Sequence, residues 1–344
     1  MTRSSVPETR RLAVLAVVMP LALAGCAVGG SDTGGDESLY AGENVDLVVP
    51  YDPGGGYDVY ARLMAPYLGE CLDATLVVRN EPGAGGLVAT NETAQTDPDE
   101  PHLQILNMGG FAASQLAESD GVQYDLRELT YAGRIASAPD LVATGPDSEF
   151  EDFEDVINAS DEVTFVSSGV GSLESISAGV LISVYDLDGK IVTGFSGSDE
   201  ARAAVTAGDA DLHALVSDSH FAAVEAGDVR PLVLVSDEPV EQFPDVPLIT
   251  DYPPEGEAQS VVESLITLGQ LGRTIAGPPG MSEEQTSELR EGFQCAMENE
   301  KLLAQFEKQN RPVVFADGDE VVQQLEEMFD ASPEFIEAVK NAFE

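Results

Sequence analysis

The sequence predicts a two-domain α/β protein, each domain a mostly parallel sheet covered by helices and the pair hinged as a clamshell. Three observations predict it. A unit of short apolar strand, glycine-rich loop and helix recurs four times. Strands alternate with helices, as a parallel sheet requires of its crossovers. A proline-rich connection late in the chain is followed by more helix, so the chain returns to the domain it left. Residues 43–137 and 255–344 are read as domain 1, and 138–254 as domain 2.

The first unit is Val45–Leu63 (VDLVVPYDPGGGYDVYARL), a buried strand, a loop at Pro53-Gly54-Gly55-Gly56 and a helix opening near Asp58. Thr75–Arg79, the loop Asn80–Gly86 and a helix over Leu87–Gln95 form the second. Leu103–Leu106 is a further strand, ending at Asn107 before a short helix. Leu129–Ile135 and Asp140–Thr144 are extended runs separated by Pro139, where the chain crosses. Val163–Val166 leads into Ser167–Ser172 and a helix, the third unit. Ile191–Thr193, Gly194–Ser198 and the helix Glu200–Ala207 are the fourth. Leu212–Val216 and Val229–Ser236 are two more strands. Beyond Pro239–Pro254, Ser260–Gly269 and Thr274–Ala276 read as extended. Ser282–Gln285 carries a capping box opening a long helix, and three helical stretches follow to the C-terminus.

A strand, a glycine loop and a helix N-terminus together suit an anion. Glycine lets the backbone approach closely, and the first-turn N–H groups point at whatever sits there. One such loop is a weak signal; four, two per domain, suit a carboxylate held by neutral donors. Ser168, Ser172, Ser196 and Ser198 add hydroxyls that serve equally as helix caps. Asp58 reads first as the N-cap of the opening helix and second as a ligand contact. Arg62 and Arg79 read first as solvated surface and second as partners of a ligand carboxylate.

Other chemistries lack their residues. There is no G-x-x-x-x-G-K-[ST], and Gly54-Gly55-Gly56 lacks dinucleotide-loop spacing. His102, His213 and His220 are the three histidines, without HExxH spacing, and no C-x-x-C occurs. No G-x-S-x-G elbow marks a nucleophile. No cofactor and no enzyme activity are expected. The formal charge of −46 repels nucleic acid.

The N-terminus points to export. Arg3, Arg10 and Arg11 precede an apolar run, Leu12–Ala24, too short to span a bilayer. Leu23-Ala24-Gly25-Cys26 resembles a bacterial lipobox, so residues 1–25 are read as a lipoprotein signal peptide and Cys26 as the acylated residue. Residues 26–42, rich in Gly, Ser and Asp, are the flexible tether. The mature chain is thus expected on the outer face of the cell membrane, anchored in the bilayer by its lipid. Cys71 and Cys295 remain in an oxidising compartment, as one disulfide or as two buried thiols.

The two opening motifs, VDLVVPYDPGGGYDVYARLMAPYL and VVRNEPGAGGLVATNETAQTDPD, resemble the substrate-binding receptors of tripartite tricarboxylate transporters, the Bug or TctC family. SSGVGS, GFSGSDEARAAVTAGDADL and VRPLVLVSDEPVEQFPDVPLITDY are similar to its later segments. The resemblance covers Val45 to the C-terminus. It implies a periplasmic-binding-protein-like (Venus flytrap) fold and a small organic carboxylate held by backbone amides and water. It also implies two membrane permease subunits as partners. Carried over by position, Tyr51, Gly54, Gly55, Gly56 and Asp58 line the first loop, and Ala84, Gly85 and Gly86 the second. Asn107, Ser168, Gly171, Ser172, Gly197 and Ser219 close from the remaining loops. Departures are Glu81, Ser175, Asp199 and Leu215-Val216; the extra acids suit a monocarboxylate, or a carboxylate carrying an amine, better than a di- or tricarboxylate. The reading is a solute-binding lipoprotein delivering its ligand to such a transporter. A sensor presenting the same ligand to a membrane signalling kinase fits the same residues.

Overall fold

The protein is described as a computed structural model covering residues 39–169, 172–256 and 258–343. The expected signal peptide, Cys26 and most of the tether, together with Gly171, lie outside the described residues.

The first half of the chain builds one sheet. β1 (Asn44–Val49) is buried along nearly its whole length, as a strand covered on both faces must be. α1 (Gly56–Cys71) follows, then β2 (Thr75–Asn80), parallel to β1. A single 3₁₀ turn at Ala84–Gly86 opens α2 (Leu87–Thr93). β3 (His102–Asn107) lies parallel to β1 on its other side and runs directly into α3 (Met108–Leu116). β4 (Thr130–Ala136) ends this half, and the chain crosses over through Pro139.

The second sheet begins with β5 (Asp140–Thr144) and α4 (Phe153–Ile157). β6 (Val163–Val166) leads to α5 (Leu173–Val184), and β7 (Gly189–Val192) to α6 (Ser198–Ala207). β8 (Leu212–Val216) leads to α7 (Ser217–Ala226), then β9 (Arg230–Val235). The strand order is β7-β6-β8-β5-β9, parallel around β6 and antiparallel around β5.

The chain then returns. α8 (Ala258–Gln270) precedes β10 (Arg273–Gly277), which inserts antiparallel between β3 and β4. α9 (Glu283–Met297) opens on the capping box of Ser282 and Gln285, and α10 (Glu300–Lys308) follows. β11 (Ala316–Asp317) edges the sheet, giving the order β11-β4-β10-β3-β1-β2, and α11 (Gly318–Phe329) and α12 (Pro333–Asn341) close the chain. Both sheets are thus mixed. The strands that carry the glycine loops are parallel, and the strands by which the chain enters or returns are antiparallel. α12 packs against α5 as well as α3 and α8, so the C-terminal stretch touches the second half too.

One expectation is corrected. Ser260–Gly269, read as extended, is helix. Val261, Val262, Leu265, Ile266, Leu268 and Gly269 are its buried residues, a helical stripe that the β-branched pair at its start disguised. The same stripe joins an apolar cluster that runs from Phe111 of the first half to Phe165 of the second without interruption. A separate cluster around Leu47, Met64, Phe293 and Phe306 fills the space between α1, α9, α10 and the first sheet.

Cys71 and Cys295 form a disulfide joining the end of α1 to α9 across 224 positions, with Cα atoms 6.0 Å apart. Closing so long a loop restricts the unfolded chain. The Cys71→Ala/Cys295→Ala variant is expected to lose about 2–5 kcal/mol in denaturant unfolding; an unchanged midpoint would contradict this.

Candidate functional site

Between the two halves lies a cavity of about 200 Å³. That is smaller than the roughly 300–1,000 Å³ of drug-sized ligand sites, so it suits a molecule of few heavy atoms. Its walls come from where the strands hand over to helices, the carboxyl ends at which open α/β sheets bind ligands.

Three helices present their N-termini here. α1 contributes Gly55 and Gly56; the first intrahelical bond runs from the Val59 N–H to the Gly55 carbonyl, so the amides ahead of it point outward. α5 contributes Ser172 and Leu173, with the Ser172 hydroxyl accepting from the Ser175 N–H as its cap. α6 contributes Gly197 and Ser198. Asn107 adds the cap of a fourth: its Oδ1 accepts from the Gly110 N–H of α3 while its Nδ2 donates to the Tyr51 hydroxyl at 2.8 Å. Each terminus carries a partial positive charge, and together they form an anion-seeking wall.

Among the described residues, seven of those expected line this cavity: Tyr51, Gly55, Gly56, Asn107, Ser168, Ser172 and Gly197. Gly54 and Asp58 stand behind it. α1 begins at Gly56, so Asp58 is not the N-cap but lies inside the first turn. Its carboxylate accepts from the Gly54 N–H, from Arg62 and from Asn80, all at 2.9 Å, and so braces the loop. Burial raises its pKa, but these donors outweigh that and hold it below the ordinary carboxylate range. Ala84, Gly85 and Gly86 form the 3₁₀ turn, which faces the third loop and does not line the cavity. The two loops touch: a Cβ on Gly169 would lie 3.0 Å from the Gly85 nitrogen. Arg79 pairs at the surface with Asp46.

Ser219 lies in the first turn of α7 against Gly56. A Cβ on Gly56 would stand 2.6 Å from the Ser219 Oγ and 3.1 Å from Arg273 Nη2. Behind this contact is a buried ion pair between the halves, Arg273 Nη2 of β10 and Asp218 Oδ1 of α7 at 3.0 Å. The guanidinium lies 4.8 and 4.7 Å from the ring centroids of Tyr57 and Tyr60. Arg311 donates to the Asp218 carbonyl at 3.1 Å.

Apart from Asp199, read as an extra acid of the fourth loop, the acids of the site were not foreseen. Asp52, Asp140, Glu174, Asp199 and Glu200 line the cavity, and among the described residues no Lys or Arg does. Glu174 is 4 % exposed. Burial pushes its pKa up, but the nearby His213 (3.4 Å), the Ser198 hydroxyl (2.5 Å) and the Ser168 N–H (2.7 Å) hold it down at about 2. Asp140 is equally buried, and desolvation, only partly offset by the Ser177 hydroxyl, raises it to about 6. Glu174 follows the third loop by two residues and was within reach of sequence reasoning. Asp140, one acid at the start of an apolar strand, gave no such signal. Among the described residues no cluster of three or more His, Cys, Asp or Glu is arranged to hold a metal.

Residues 60–340 match the model of the tripartite tricarboxylate transporter family receptor. The chain is 24% identical over 253 residues to the UPF0065 protein of the tcbD-tcbE intergenic region of Pseudomonas sp. (strain P51), spanning 68% of this chain and 74% of that one. Among solved structures it is similar to MatC from Rhodopseudomonas palustris with bound malate, at TM-score 0.73 and 20% identity over 86% of this chain and 99% of that one. A second R. palustris protein, with adipate, gives TM-score 0.72 and 20% identity over 87% and 97%. The fold is therefore that of periplasmic solute-binding proteins. Among the described residues no helix is long and apolar enough to cross a membrane.

The Asp140 carboxyl has a folded pKa near 6 against 3.8 unfolded. Its ionised form therefore opposes folding above about pH 6, and the penalty disappears below about pH 4, on the order of 3 kcal/mol in all. Asp140→Asn is expected to raise the melting temperature at pH 8 and to leave it unchanged at pH 3.5. An equal shift at both pH values would contradict the assignment.

Proposed function

Because the chain belongs to the tripartite tricarboxylate transporter receptor family, we propose that it is an extracytoplasmic solute-binding lipoprotein. It captures a small organic carboxylate between two domains, 43–137 with 255–344 and 138–254, and delivers it to the membrane subunits of a tripartite transporter. Acylated Cys26 holds it at the outer face of the membrane. The observation that carries this reading is the convergence of the α1, α5 and α6 N-termini on one small cavity. Backbone donors so placed bind a carboxylate without a cationic side chain, each charge-assisted bond contributing about 1.5–3 kcal/mol.

The similar R. palustris structures, described with malate and adipate, support a carboxylate. Tyr51, Gly55, Gly56, Asn107, Ser168, Ser172 and Gly197 are the proposed contacts, and Gly54, Asp58, Ala84, Gly85, Gly86 and Ser219 shape the loops behind them. Closure is favoured by whatever contacts the ligand makes with both halves at once.

A thermal-shift series with malate, adipate, succinate, citrate and short monocarboxylates, each with and without an amino group, tests the reading. At a hundredfold excess over its Kd, a true ligand is expected to raise the melting temperature by about 4 °C. No shift from any carboxylate would overturn it.

A further inference from the structure

The cavity holds one buried acceptor that the protein leaves unused. Asp140 is the first residue of β5, paired with Val216 of β8 and Val235 of β9, and is among the residues that line the cavity. One carboxylate oxygen, Oδ2, accepts from the Ser177 hydroxyl. The other, Oδ1, is buried and has no hydrogen-bond partner among the described residues. An unpaired buried carboxylate oxygen is unfavourable, so a donor supplied from the cavity has a large advantage there.

Of the other lining acids, Asp52 is only half-buried and three are engaged. Glu174 accepts from the Ser168 N–H and the Ser198 hydroxyl. Asp199 pairs with Arg202, and Glu200 accepts from the Ser196 N–H. The nearby cation, Arg273, is engaged by Asp218. A ligand bearing carboxylates alone would therefore add negative charge beside Asp140 and Glu174 with no lining cation to offset it. A ligand bearing one ammonium and one carboxylate brings both ends something. The carboxylate meets the amides of the helix N-termini, and the ammonium meets Asp140.

We propose that Asp140 forms a subsite for an N–H-bearing ammonium group, so that the solute is a small amino-carboxylate. This rests on the receptor reading above and names its ligand class. The unpaired Oδ1 sets the kind of cation. It needs a proton donor, which a primary ammonium offers and a quaternary one does not. The burial that lifts the Asp140 pKa also removes competing water, so the bond forms in a poorly solvated site where charge pairing is strong.

Calorimetric titration of the full-length chain at pH 8 tests this with matched probes: succinate against aspartate, butyrate against 4-aminobutyrate, and 4-aminobutyrate against its N-trimethyl derivative. In at least one pair the amino member is expected to bind about tenfold or more tighter, with trimethylation abolishing the gain. In Asp140→Asn, whose neutral amide keeps the Ser177 contact, the preference should fall to near parity while a carboxylate still binds. Ser177→Ala, which leaves the charge in place, should retain the preference. Amine-free members binding as tightly or tighter in every pair would overturn the proposal, as would a preference unchanged in Asp140→Asn. If amine-free acids bind well, the receptor reading stands and this subsite falls. If no carboxylate of either kind binds, both fall.

Discussion

Among the described residues, Arg273 is the largest side chain buried to less than 2 % exposure, and it lies where the two halves meet. Burial alone would lower its pKa, but the Asp218 carboxylate and the faces of Tyr57 and Tyr60 reverse that and keep it charged. A buried ion pair is weak evidence of net stability, since desolvation offsets much of its attraction; removing one partner, however, strands the other at a cost of about 3–5 kcal/mol. The pair acts as a register pin. It fixes α7 against α1 at one separation, at which a Cβ at position 56 would meet the Ser219 hydroxyl and the Arg273 guanidinium.

The cavity inherits its chemistry from this placement. With Arg273 engaged by Asp218 and Arg62 engaged by Asp58, the nearby cations are already paired, and the positive potential of the wall comes from helix N-termini. The acids stand opposite. Glu174 is satisfied by three neighbours, whereas Asp140 is satisfied on one oxygen. In a chain of formal charge −46, long-range attraction does not bring an anion in. Short-range dipoles must do so, against the field of the rest of the molecule.

Much of this was legible in the sequence because it is local. Strand, glycine loop and helix are adjacent along the chain, and Gly55, Gly56, Ser172 and Gly197 follow from that pattern. The pairing of strands across the chain was less so: β10 is a short apolar run, and nothing in it says that it inserts between β3 and β4. Ser260–Gly269 misled because Val and Ile satisfy both a strand and a buried helix face. Asp58 misled because Gly55, a residue with no side-chain cap, occupies the position expected of it. Asp140, Asp218 and Arg273 meet only in three dimensions. Their separations in sequence carry no motif, and an isolated charge in an apolar strand reads as an exception until its partners are placed.

The two halves meet at the close approach of Gly56 to α7, and the melting temperature of Gly56→Ala beside that of Gly55→Ala probes that contact. The added methyl at 56 meets Ser219 and the pinned Arg273, whereas at 55 its nearest neighbour is a carbonyl oxygen 4.0 Å away. Gly56→Ala is predicted to lose about 1–3 kcal/mol by overpacking, and Gly55→Ala to stay within about 1 kcal/mol of the parent. Equal effects at the two positions, or a Gly56→Ala protein as stable as the parent, would contradict the claim that this contact sets how the halves meet.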